Sequence, residues 1–246
     1  VDEFRGKEQS RISKKDIQSG RQAALPTIVL LIFQYFTSTM KHVFIIRHGE
    51  TDNNKIHRFQ GRGINASINA KGWEQARAIA DALNEYPIQK VVTSSLIRTH
   101  ETAEPLIKEK NPLVERYADL DEMGFGDYEG SYIHEIMDDI KALQKEWEGG
   151  NVTHAIAGGE SPQEVYDRAA TKLTEVLKQS DEEYIAFYLH GRLIRILLSG
   201  LLGLGLSKMQ EIEHQNGSIN HLTWDGEKLT PVELNKTEHL SAIIVS

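Results

Sequence analysis

Val43-Phe44-Ile45-Ile46-Arg47-His48-Gly49-Glu50-Thr51 decides how this chain is read. Four β-branched or aromatic residues in a row, with no polar alternation, suit a strand buried on both faces. The run stops abruptly in an arginine, a histidine and a turn glycine. Two other stretches repeat the pattern. Lys90-Val91-Val92-Thr93 ends in Ser94-Ser95, with Arg98 soon after, and Tyr184-Ile185-Ala186-Phe187-Tyr188-Leu189 ends in His190-Gly191. Strands buried on both faces belong to parallel sheets, whose ligands sit outside the carboxyl ends of the strands. All three charged turns fall at that edge, so they are candidates for one site.

Helical spacing lies between these runs. Trp73, Ala76, Ala80 and Leu83 share one face, as do Val165, Ala169, Leu173, Val176 and Leu177. Ser161-Pro162-Gln163-Glu164 opens the second helix with a capping box and a proline in its first turn. Leu193 to Leu202 is apolar nearly all round and predicts a buried helix. The alternation predicts an α/β fold: a three-layer sandwich with a mostly parallel central sheet and helices on both faces. Residues 124–159 break the alternation with charge and glycine. They predict a small cap insertion beside the site, with a helix around Ser131–Trp147. Ser218–Trp224 and Leu229–Leu234, joined by Asp225-Gly226, predict two closing strands.

The 246 residues carry a net charge of −8, which speaks against a nucleic-acid partner. A small anionic substrate can still be held where positive charge is concentrated. The chain has no cysteine, so disulfides and thiolate metal sites are excluded. Residues 1–39 differ from the rest, with six basic residues against four acidic ones and an apolar run from Ala23 to Phe36. That run is shorter than a membrane span and nearer a signal-peptide core. Three readings of this leader stay open: upstream sequence before a true start at Met40, a signal or anchor segment, or a part of the fold. The first makes residues 40–246 a cytoplasmic domain without membrane contact. The second makes the protein exported or tethered.

Arg47-His48-Gly49-Glu50-Thr51 suits phosphate chemistry. A guanidinium offers a planar fork to phosphate oxygens. Glycine lets the backbone come close. A neutral imidazole can attack phosphorus with one nitrogen while the other is held by a hydrogen bond. The plain alternative is a surface turn with an incidental histidine. His42, His57, His100, His134, His154, His214, His221 and His239 show no metal-ligand spacing, and neither a metal nor a cofactor is expected.

Taken in order, the motifs resemble those of the histidine phosphatase superfamily, from residue 41 to about 224. Arg47-His48-Gly49-Glu50-Thr51 resembles its signature, with Asn54 at the family's spacing. Arg58-Phe59-Gln60-Gly61 is similar to a segment of the phosphatase branch. Ser94-Ser95-Leu96-Ile97-Arg98-Thr99 resembles the family's serine-to-arginine turn. Leu120-Asp121-Glu122 and Phe125-Gly126-Asp127-Tyr128-Glu129-Gly130 resemble the block holding the general acid, and Gly159-Glu160-Ser161 and His190-Gly191 complete the order.

The resemblance implies roles. His48 is the expected nucleophile. Arg47, Arg98 and His190 are expected on the phosphoryl oxygens, His190 as an imidazolium donor. Glu122 is the expected general acid and base, protonated when substrate arrives, with Asp121 and Glu129 as weaker rivals. Asn54, Gln60, Gly49, Thr51 and Gly191 are expected to bind substrate, the two amides as donors. Glu160 and Ser161 read as helix-capping residues, and Arg195 as a paired structural arginine. Arg192 departs from the small residue common after this His-Gly pair. It either selects a second anionic group, covers the cap helix or reaches solvent.

The implied activity is metal-independent hydrolysis of a small phosphomonoester, with a homodimer compatible. A mutase is one alternative, though no basic cluster follows Glu122 in Met123-Gly124-Phe125-Gly126 and Gln60-Gly61-Arg62-Gly63 replaces a Gly-Trp segment. A non-catalytic phosphate-binding scaffold is the other.

Overall fold

A computed structural model describes residues 40–244. The leader, residues 1–39, lies outside the described residues. Among the described residues six strands form one sheet: β1 (Lys41–Arg47), β2 (Lys90–Ser94), β3 (Leu113–Tyr117), β4 (Tyr184–Leu189), β5 (Ile219–Trp224) and β6 (Leu229–Lys236). Their spatial order is β3-β2-β4-β1-β5-β6. The first four run parallel, whereas β5 and β6 join antiparallel. The sheet is therefore mostly parallel, and the two closing strands fall where the sequence places them.

Among the described residues seven α-helices surround it: α1 (Asp52–Lys55), α2 (Ala70–Ala82), α3 (Ile97–Lys110), α4 (Met137–Glu148), α5 (Pro162–Gln179), α6 (Gly191–Leu201) and α7 (Ser241–Ile244). Alternate residues of the central strands point to opposite layers. Phe44, Ile46, Val91, Ala186 and Tyr188 pack against α2 and α3, with Ile79, Leu83, Ala103 and Leu106 opposite. Val43, Ile45, Val92, Ile185 and Phe187 face the other layer, where α5 and α6 contribute Val165, Leu173, Ile194 and Leu197. Helices thus cover both faces. The capping box at Ser161 forms as the sequence predicts, with proline at the first turn of α5.

One element differs from the sequence reading, and two others were not read from it. The cap helix α4 begins at Met137 rather than Ser131, because Tyr132 instead pairs with Arg58 in an isolated β-bridge. The α3 helix runs through Pro105. The edge strand β3 leaves Leu113 and Val114 exposed. Among the described residues no helix is long and apolar enough to cross a membrane.

Candidate active site

The carboxyl ends of β1, β2 and β4 lie side by side because β4 sits between the other two. His48 continues β1, and its backbone N–H donates to the Leu189 carbonyl at 3.0 Å. The three charged turns therefore meet at one edge, with the His48 and His190 rings 5.3 Å apart between centroids.

His48 is 3% exposed. Its Nδ1 lies 2.7 Å from the Gly49 carbonyl, which can only accept, so Nδ1 carries the proton and Nε2 keeps a lone pair. Burial, then the charges of Arg98 and Arg47, hold the ring well below the ordinary histidine pKa, so it is neutral. That tautomer is what a nucleophilic imidazole needs.

His190 departs from the expected imidazolium. Arg98 Nε donates to its Nδ1 at 3.2 Å, and its Nε2 lies 2.7 Å from the Ser94 hydroxyl. Burial, then Arg98 and the neighbouring His48, push its pKa well below the ordinary range. A neutral Nε2–H tautomer satisfies both contacts. His190 and Arg98 are both 0% exposed. Arg98 Nη1 and Nη2 donate to the carbonyls of Ile64 and Gly61. The pair lies beside His48 and is not part of the cleft lining.

That cleft, of about 280 Å³, is lined by Arg47, His48, Asn54, Gln60, Glu122 and Gly191, together with Arg58, Arg192, Arg195, Gln210 and His214. Phe125, Ile133 and Gln144 also line it, so residues 124–159 form one wall. Arg47 places Nη1 3.0 Å from His214 Nδ1, while its Nε is buried without a partner. Burial lowers the Arg47 pKa to about 10. Gln60 Oε1 accepts from the Thr51 hydroxyl and from Asn53, which leaves its amide Nε2 buried and unpaired. Asn54 Oδ1 accepts from Thr51 and from Asn216. The amide donors of Gln60 and Asn54, both of which line the cleft, are thereby left without a protein acceptor among the described residues.

Thr51 is fully buried and caps α1 in a reciprocal pair with Asn54. It positions the amides and does not line the cleft. Gly49 also differs from its expected role. Its N–H donates to the Thr102 hydroxyl, and a Cβ there would lie 2.6 Å from the Gly72 carbonyl. Gly49 admits the backbone of α2, not a substrate. A Cβ on Gly191 would lie 3.2 Å from both the Arg47 guanidinium and the His214 ring, so that glycine leaves room for them.

Glu122 is 6% exposed and lines the cleft. Its Oε1 accepts from the backbone N–H of Met123 and Leu193, both at 2.9 Å, and Oε2 accepts from Arg192 at 3.0 Å. The rivals are occupied elsewhere. Asp121 accepts from the Ser95 N–H and hydroxyl, and Glu129 accepts from the Phe125 N–H. Glu160 is an ion-pair partner of Arg168 and Arg62 rather than a cap, whereas Ser161 is a cap. Arg168 reaches further: Nη1 donates to the Asp119 and Asp121 carbonyls and Nη2 to that of Glu122. It clamps the loop carrying Glu122, a role no motif signalled.

His214 had no sequence signal either. It lies between two guanidinium groups, with Arg195 Nε donating to Nε2 at 2.9 Å. Burial, then Arg47 and Arg195, push its pKa down to about 2. Arg195 is paired as expected, but with neutral groups: His214 and the Gln210 carbonyl. Arg192 faces the cleft and also covers the cap helix, 5.6 Å above the Trp147 ring. Among the described residues no cluster of three metal-ligating side chains occurs.

A neutral histidine at a strand end, in a cleft rich in arginine and unpaired amides, defines an enzyme of phosphoester chemistry. The chain belongs to the histidine phosphatase superfamily, branch 1, whose model matches residues 43–237. Phosphoserine phosphatase 1 of Hydrogenobacter thermophilus is 27% identical over 84% of this chain and 97% of its own length. The protein named "Probable phosphoglycerate mutase GpmB" from Citrobacter koseri is 29% identical over 75% of this chain and 86% of its own. A mycobacterial glucosyl-3-phosphoglycerate phosphatase, solved with VO3, superimposes with a TM-score of 0.72. It is 26% identical, over 79% of this chain and 98% of that one.

Proposed function

We propose that this chain hydrolyses small phosphomonoesters through a phosphohistidine on His48, with Glu122 as acid and base. The observation that carries this is the Nδ1 contact of His48 with the Gly49 carbonyl, which leaves a lone pair on Nε2. In the first step Nε2 bonds to phosphorus as the bond to the leaving oxygen breaks. Glu122 gives that oxygen its proton. In the second step Glu122 takes a proton from water, the water oxygen bonds to phosphorus, and inorganic phosphate leaves His48 neutral.

The acid proton belongs on Oε2. Two N–H donors occupy Oε1, whereas Oε2 receives one and keeps a lone pair. Arg47 Nε and the Gln60 amide are unpaired donors ready for phosphoryl oxygens. Donors already fixed in place stabilise the charge built up in the transition state. Arg98 and His190 act at one remove, fixing the edge on which His48 sits. Cytoplasmic action is part of this reading and depends on residues 1–39 serving neither as signal nor as anchor. Cell fractionation of the full chain tests it.

The decisive experiment mixes protein with an aryl phosphate, quenches into alkaline denaturant and maps phosphate by mass spectrometry. A transient phosphoryl group on the His48 peptide, with inorganic phosphate released, is the expected result. Phosphate release from a His48→Ala variant at an undiminished rate would sink the mechanism.

Phosphoglycerate mutase chemistry is a second reading with one observation behind it. The sequence lacks a basic cluster after Glu122, yet Arg192 and Arg195 bring positive charge into the same cleft. Phosphoryl exchange between positions of one substrate without phosphate release would select the mutase.

A further inference from the structure

The cleft holds more donors than a phosphoryl group uses. Arg192 Nη1 is buried without a partner. Three residues along α6, on the same helix face, Arg195 donates through Nη1 to the Gln210 carbonyl at 2.9 Å and its side-chain oxygen at 3.2 Å. That fixes the Gln210 amide with its Nε2 buried and unpaired. All three residues line the cleft, and His214 stands between Arg195 and Arg47.

Glu213 and Glu122 attract Arg195 and Arg192 through space, without contact. Among the described residues no carboxylate forms an ion pair with Arg192 or Arg195. Glu122, the acidic side chain of the cleft, is turned to backbone N–H groups. Burial, followed by the charge of Arg195, lowers the Arg192 pKa to about 10. Half-buried cations without an ion-pair partner are costly, and an orphaned buried donor calls for a partner. Arginine is the side chain best matched to a planar or tetrahedral oxyanion.

We propose that Arg192, Arg195 and the Gln210 amide form a second anion subsite, distinct from the phosphoryl pocket around Arg47 and Gln60. The substrate is then a small phosphomonoester bearing a second anionic group, either a carboxylate or another phosphate. The claim that the other end reacts rests on the hydrolase reading; the subsite itself does not. A cleft of about 280 Å³ has room for a small molecule of this kind.

Non-hydrolysable ligands separate the two claims. Calorimetry on the full chain compares phosphonocarboxylates of two to four carbons, their carboxylate methyl esters, and alkyl diphosphonates of matching length. At least one acid should bind tenfold or more tightly than its neutral ester. In Arg192→Met that gap should shrink to threefold or less, while Arg192→Lys should keep part of it. A preference for the phosphonocarboxylate or for the diphosphonate identifies the second group. Equal binding of charged and neutral ligands by the unaltered protein overturns the subsite, as does a gap unchanged in Arg192→Met. If Arg192→Met does not fold, Arg192→Lys carries the test, and an unchanged gap there overturns the assignment of Arg192. Failure of the unaltered protein to release phosphate from an aryl phosphate counts against the hydrolase reading alone.

Discussion

The Glu122 carboxylate accepts the backbone N–H of Leu193 at 2.9 Å. This single bond ties the loop after β3 to the first turn of the helix that follows His190. Helix N-termini offer unsatisfied N–H groups, and here a carboxylate takes two of them, from Arg192 and Leu193. The acid and the oxyanion-binding edge are therefore one mechanical unit.

Glu122→Gln tests that unit. An amide oxygen can keep the contacts of Oε1, but an NH2 group would face the Arg192 N–H. A stability loss of about 1–2 kcal/mol follows from that one mismatch. Turnover should fall by about 10²–10⁴ on an alkyl phosphate, because the leaving oxygen loses its proton donor. The loss should be much smaller on a nitrophenyl phosphate, whose leaving group needs no proton. Glu122 also serves the second step, which both substrates share, so kcat/KM, which reports the first step, is compared on the two, and an equal loss in it would remove Glu122 from the acid role.

Arg168 holds the same loop from the other side. It donates to three successive parts of it, the carbonyls of Asp119, Asp121 and Glu122, and is paired with Glu160. Removing it leaves the Asp119, Asp121 and Glu122 carbonyls without this donor, and leaves Glu160 with Arg62 and the Gly124 N–H alone. Arg168→Ala should cost about 2–4 kcal/mol of stability. It should also reduce kcat more than it raises KM, since the acid is displaced while the cleft arginines remain. Arg168→Lys should recover part of the stability and less of the rate, because an ammonium cannot span all the carbonyls. Urea unfolding and kinetics on the two variants decide it. A variant that lost stability but kept the full kcat would show that Arg168 serves the fold alone.

The sequence displayed its site where physics left little choice. β1, β2 and β4 had to be apolar throughout because helices cover both faces, so their charged ends stood out. β3 did not stand out because it is an edge strand, with Leu113 59% exposed and Glu115 and Arg116 in its middle. Pro105 hid α3, since proline usually ends a helix. The start of α4 was obscured because bridge pairing of Tyr132 with Arg58 overrides local helical preference. His214, Gln210 and Arg168 reach the site from loops and a helix far away in sequence. Their types are ordinary for surface positions, and only the folded contacts give them a role.

Three histidines in this site are held neutral: His48, His190 and His214. Each has a folded pKa below its unfolded value of about 6.5. Above that pH neither state binds the proton, and stability is unaffected. Below it the unfolded chain takes up protons that the native site refuses, so stability falls as pH falls. Each such histidine contributes a slope approaching about 1.4 kcal/mol per pH unit below 6.5. Urea unfolding at pH 7.5, 6.5 and 5.5 should show a flat region and then a decline. In His214→Phe the decline should be shallower by one proton, whatever the absolute stability. An unchanged slope in that variant would mean that His214 is charged in the native state.

Two glycines that follow histidines of this site should behave in opposite ways. A Cβ on Gly49 would meet the carbonyl oxygen of Gly72 at 2.6 Å and its Cα at 2.9 Å, backbone atoms that cannot step aside without moving α2. Gly49→Ala should therefore cost about 1–3 kcal/mol, as overpacking does. A Cβ on Gly191 would instead meet the Arg47 guanidinium and the His214 ring at 3.2 Å. Both are side chains that can shift by a few tenths of an ångström, so Gly191→Ala should lose less than about 1 kcal/mol. The displaced Arg47 then presents its unpaired Nε away from the phosphoryl oxygens, and KM should rise several-fold. Thermal melts and Michaelis constants measured side by side separate the two. If Gly191→Ala were the less stable variant, with KM unchanged, Arg47 would not be the group that this glycine makes room for.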